Sequence, residues 1–60
     1  MKFTYNNKNY ELGIIEDMGI VVIFEIKQED DYESRKVINW FYDDGSDYEE
    51  TAIYFIDHRD

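Results

Sequence analysis

The sequence predicts a small α+β domain, an antiparallel four-stranded meander followed by one C-terminal helix (ββββα). Three observations carry this. Stretches rich in β-branched and aromatic residues, some strictly alternating, recur up to residue 42. Short Asn-, Asp- and Gly-containing breaks separate them. After residue 45 the apolar spacing changes to that of a helix. The chain of 60 residues reads as a single domain, 1–60, with no linker, repeat or Pro-rich boundary.

The elements follow in order. Residues 2–5 place Phe3 and Tyr5 on one strand face, and 6–9 form a turn because Asn tolerates the left-handed conformation. In 10–14, Tyr10, Leu12 and Ile14 alternate with Glu11 and Gly13, the pattern of a half-buried strand. Glu16–Gly19 turns the chain into 19–27, the most apolar stretch, with Ile20, Val22, Phe24 and Ile26 on one face and Val21 and Ile23 on the other. A strand apolar on both faces requires cover on both.

Residues 28–35 are polar and read as a loop, although Asp30 and Glu33 have capping-box spacing. Residues 36–42 read as a strand, and Asp43-Asp44-Gly45 as a turn. Beyond it, Ser46 and Glu49 have the capping-box spacing of a helix start, with Ser46 as N-cap. Tyr48, Ala52, Phe55 and Ile56 share one helical stripe. The β propensity of 51–56 leaves an alternative, an all-β five-stranded sheet.

In the ββββα arrangement one helix covers one sheet face. The other is expected to expose Val21, Ile23 and Trp40 or Ile38. A patch of that kind calls for a homodimer through sheet faces or edges, or for the loop at 28–35 folded across it.

Composition bounds the function. Apolar residues are 43% and aromatics 18%, so the chain folds despite its charge. A domain this small buries only about 60% of its unfolded surface. It has no Cys, which removes disulfides, thiolate metal sites and Cys nucleophiles. The net charge of −9, from 15 acids and 6 bases, repels nucleic acid and anionic membrane surfaces. No signal-like N-terminus and no run of about 20 apolar residues is visible, so a cytoplasmic protein is expected.

Catalysis finds little support. His58, the only histidine, lies three positions from the end, where a general base is poorly held. It reads better as a solvated or helix C-terminal residue. Ser34 and Ser46 have no visible base partner. Carboxylate pairs are plentiful, but so small a core offers little room for a pKa-shifting cleft. No cofactor is expected. Asp44, Tyr42 and Trp40 stand where an EF-hand loop before Gly45 would need oxygen ligands, so at most a weak surface cation site at Asp43, Asp44 and Asp47 is expected.

The acids instead gather in two groups, one containing Asp30, Asp31 and Glu33, the other Asp43, Asp44, Asp47, Glu49 and Glu50. They flank 36–42, roughly 25 Å apart if that segment is a strand. Solubility accounts for the charge but less well for its position beside Trp40, Phe41, Tyr42 and Tyr48. A recognition surface accounts for both: the carboxylates steer a basic partner, and Trp40, Tyr42 and Tyr48 anchor it. Carboxylates at alternate strand positions, about 6.5–7 Å apart, approach the spacing of phosphates along a nucleic-acid strand.

In size, charge and aromatic content, the chain resembles the small acidic inhibitors that phages encode against host nucleases, restriction systems, CRISPR effectors and other defence or replication proteins. That resemblance implies a non-enzymatic protein that occludes a basic-surfaced, nucleic-acid-handling partner, in the manner of a DNA mimic. The alternative is an assembly module that homo-oligomerises through its apolar sheet face. Reversing Asp43, Asp44 and Asp47 to Lys is expected to spare folding and abolish partner binding.

Overall fold

The computed structural model describes residues 1–27 and 35–58. Four antiparallel strands form one open sheet in the order β1-β2-β3-β4: β1 (Lys2–Tyr5), β2 (Lys8–Ile15), β3 (Ile20–Ile26) and β4 (Arg35–Tyr42). A single helix, α1 (Tyr48–Asp57), follows. The C-terminal segment is thus helical, and the five-stranded alternative does not form.

The turns explain the meander. Asn6 and Asn7 both take positive φ, 56° and 64°, between the paired residues Tyr5 and Lys8. Two left-handed residues in a two-residue loop match the twist of the flanking strands. Between β2 and β3 a short 3-10 turn, Glu16–Met18, ends at Gly19 with φ 65°. Gly19 accepts that conformation without a Cβ penalty, and its carbonyl accepts from Asp43 N–H at 2.8 Å, so the ladder continues just past β4.

Pairing register decides which side of β3 is core. Leu12 lies opposite Ile23, Ile14 opposite Val21, and Val21 opposite Phe41. Tyr10, Leu12, Val21, Ile23 and Phe41 therefore share the face that α1 covers, and with Ala52 they form the buried cluster. Val21 and Ile23 are fully buried. This corrects the expectation that they would be exposed. The tight turn aligns them with Leu12 and its neighbours, so Ile20, Val22 and Phe24 take the open face instead.

Ile38 is a second correction. Ile23 pairs with Asn39 and Phe24 with Val37, so Ile38 is an extra residue, a β-bulge. The bulge swings Ile38 against the core cluster and leaves Val37 beside Trp40 on the open face. Of the exposed residues expected there, only Trp40 was correctly placed.

The helix begins one residue later than the capping-box spacing predicts. Asp47, not Ser46, is the N-cap, and its carboxylate accepts from Glu50 N–H at 2.9 Å. A charged acceptor at the positive end of the helix does more than a hydroxyl. The stripe Tyr48, Ala52, Phe55 and Ile56 packs on the sheet, with Phe55 stacked on Phe41 at 5.6 Å between ring centres. From there α1 runs across the sheet toward β1, where the Tyr5 phenol donates to Asp57.

Candidate functional site

Two surfaces remain after the core is assembled, one at an end of the sheet and one on its open face. The β2–β3 turn and the β4–α1 loop emerge at the same end, joined by the Asp43–Gly19 hydrogen bond. This brings Glu16 and Asp17 together with Asp43, Asp44 and Asp47, while Glu49 and Glu50 occupy the adjoining first turn of α1. No Lys or Arg occurs between Lys8 and Lys27 or between Lys36 and Arg59. Neither segment supplying this end therefore carries a side chain that neutralises it. Glu16 and Asp17 were not singled out from sequence, because only the folded meander makes them neighbours of the second acidic group.

Several of these acids also hold the loop together. Asp43 accepts from the Tyr48 phenol at 2.9 Å, and that bond, with the nearby charges of Asp43 and Glu16, raises the Tyr48 pKa above its ordinary value. Asp44 accepts from Ser46 N–H at 3.0 Å. Hydrogen bonds from Ser46 lower the Asp44 pKa and keep it ionised. Asp47 caps the helix. Asp43 and Asp47 thus carry structural contacts as well as charge, so reversing them removes the Tyr48 hydrogen bond and the helix cap along with two carboxylates. Among the described residues no three carboxylates or imidazoles are gathered in a geometry that could hold a metal, Asp43, Asp44 and Asp47 included.

The proposed anchors divide. Trp40 and Tyr42 lie on the open face of β4, 46% and 70% exposed, with their rings edge to face at 5.2 Å. Tyr48 is half-buried, packs against the core and is tied to Asp43, so it supports the loop rather than standing out from it. Asp30, Asp31 and Glu33 lie outside the described residues.

The open face is apolar in its upper half, nearest the acidic end. Ile15, Val22, Trp40 and Tyr42 lie there, with Phe24 and Val37 just below. The Phe24 ring edge closes on Gly13: a Cβ there would stand 3.1 Å from its Cε2. Lower down, Arg35 reaches over β3 to Glu11, with Nη2 at 2.8 Å from Oε1, and both side chains are largely shielded. The Glu11 oxygen makes no aligned hydrogen bond, so charge rather than geometry holds this pair. The bridge screens Ile26, which is buried although it lies on the open side.

His58 ends the helix as expected of a terminal residue. Its ring stacks on Tyr54 at 4.2 Å, and Nδ1 lies 2.8 Å from the Tyr54 carbonyl, which requires the proton on Nδ1. Shallow depressions occur along the outer side of α1, lined by Asp47, Glu50, Thr51 and Tyr54, and beside β1, lined by Lys2, Phe3, Asn9 and Tyr10. No helix among the described residues is long and apolar enough to cross a membrane. The chain matches no protein-family model, no curated protein and no solved structure.

Proposed function

We propose that this chain is a non-enzymatic binding module that occludes a basic-surfaced, nucleic-acid-handling protein in the cytoplasm, in the manner of the phage-type anti-defence inhibitors it resembles. The observation that supports this most is the acidic end. The fold adds Glu16 and Asp17 to Asp43, Asp44, Asp47, Glu49 and Glu50, in segments without a compensating base. Fixed carboxylates on a small rigid body attract a basic groove at long range and resist collapse onto its arginines. Tyr42, which immediately precedes Asp43 on the same rim, supplies the apolar contact that charge alone lacks.

The test uses the protein as bait in a nuclease-treated bacterial lysate, with captured proteins identified and then purified. The expected result is a nucleic-acid-binding protein that is released by about 0.5 M salt and displaced by duplex DNA. A variant with Asp44→Asn, Glu49→Gln and Glu50→Gln, which leaves the helix cap in place, should bind it at least tenfold more weakly. Binding unaffected by both salt and this variant would overturn the reading.

A further inference from the structure

We infer that the chain modifies itself at Asp44-Gly45, where the Gly45 nitrogen closes on the Asp44 side chain to a succinimide that opens to isoaspartate. This goes beyond the acidic-end reading and concerns the covalent chemistry of the β4–α1 loop rather than its partner.

Three features of the loop carry the inference. The nucleophile is unhindered: Gly45 has no side chain, holds φ 86°, and open space surrounds the position a Cβ would take. Its N–H points at a base. Asp43 Oδ1 stands 3.4 Å away, a length that a small closing movement brings within proton-transfer reach. The electrophile is held close as well. Asp44 Oδ1 accepts from Ser46 N–H at 3.0 Å, an Asx turn that folds the carboxyl back toward the intervening Gly45 nitrogen. The whole loop from Tyr42 to Asp47 is exposed, so water reaches it.

The steps balance. The bond between Gly45 N and Asp44 Cγ forms as the amide proton passes to Asp43. One Asp44 oxygen leaves as water, taking that proton and one from solvent. Ser46 N–H stabilises the charge that gathers on the other oxygen. Water then adds to the five-membered imide. Breaking the Cγ–N bond restores aspartate. Breaking the bond from the Asp44 main-chain carbonyl to Gly45 N gives isoaspartate, its backbone routed through Cβ and Cγ and the old carbonyl now a free carboxylate. Either opening returns the solvent proton, so mass and charge equal those of the parent. Hydrogen bonds from Ser46 also keep Asp44 ionised, which weakens its carbon as an electrophile and makes the conversion slow.

The other aspartates among the described residues have different surroundings. Asp47 is engaged as the helix cap by Glu50 N–H at 2.9 Å. The amide after Asp57, His58 N–H, is bound to the Tyr54 carbonyl at 3.1 Å. Asp17 and Asp43 are followed by Met18 and Asp44, whose side chains crowd the attacking nitrogen.

Ageing the full chain for several weeks at physiological temperature and mildly acidic pH tests this. Electron-transfer fragmentation separates isoaspartate from aspartate of equal mass at each position. Asp44 should convert roughly tenfold more than Asp17, Asp43, Asp47 or Asp57, and faster in the folded chain than in the same chain in concentrated guanidinium chloride. Asp43→Asn, which can still accept from the Tyr48 phenol, should slow the conversion several-fold with the circular dichroism spectrum unchanged. Asp44→Glu, which would need a larger ring, should leave no product at that position. Equal conversion at all five aspartates would overturn the inference, as would conversion faster in denaturant than in the fold. A rate unchanged by Asp43→Asn would overturn the role given to Asp43. The measurement involves no partner, so its failure is distinct from that of the acidic-end reading.

Discussion

The phenol of Tyr5, in the last position of β1, donates to both carboxylate oxygens of Asp57 at the end of α1, at 2.8 and 2.6 Å. Fifty-two positions separate the two residues. With Phe41 stacked on Phe55, this bond fixes the direction in which the helix crosses the sheet.

The bond has a pH signature. Hydrogen bonding to Asp57, followed by desolvation, raises the Tyr5 pKa above its ordinary value near 10. A raised folded-state pKa gives stability that is complete below the unfolded value and lost as pH rises through the folded one. Urea denaturation should therefore find Tyr5→Phe less stable than the parent at pH 8, with the gap closing as pH rises beyond the ordinary tyrosine range. A gap that persisted at high pH would assign the effect to packing rather than to the bond.

The two sides of β3 should respond differently to truncation. Ile23→Ala opens a cavity under the helix and should cost about 2–5 kcal/mol, a large part of the stability of a domain this size. Val22→Ala on the open face should cost under about 1 kcal/mol. Thermal or urea unfolding of both variants checks the assignment directly.

Helix capping offers a one-residue test. Asp47→Ala should lower stability by about 1 kcal/mol, or roughly 4–8 °C in Tm, whereas Ser46→Ala should change it by less than about 0.5 kcal/mol. Equal effects would mean that the two residues share the cap.

Gly19 supplies a backbone test. No side-chain clash awaits a Cβ there, so the effect of Gly19→Ala is conformational: a cost of about 1–2 kcal/mol from φ 65°. The variant should unfold earlier in urea with an unchanged m-value.

Much of this fold was legible in the sequence. Asn6-Asn7 announced the first turn, and Tyr48, Ala52, Phe55 and Ile56 announced the helix and its buried stripe. Alternation alone could not say which face of β3 the helix would cover, because both of its faces are apolar. The deciding signal was on β2: counting back across the 16–19 turn sets Leu12 against Ile23 and leaves Glu11 and Gly13 with the open side. The bulge at Ile38 left no local mark, since Val37, Ile38, Trp40 and Phe41 all suit a strand. Acidity near Trp40 was visible, but the contribution of Glu16 and Asp17 depends on a turn that is distant in sequence.

The bulge uncouples length from phase in β4. Val37 and Trp40 share a face although they are three positions apart, because Ile38 is additional to the ladder. A chain shortened by that one residue would pair as a regular strand, with Arg35, Val37 and Trp40 still on the sides they occupy now, and would lose only one side chain from the core margin. Restoring regular alternation without the deletion would instead invert everything before Asn39 and carry Arg35 away from Glu11. In this strand, dropping a residue is the gentler edit, and the position of Ile38 is where the domain can tolerate a change of length.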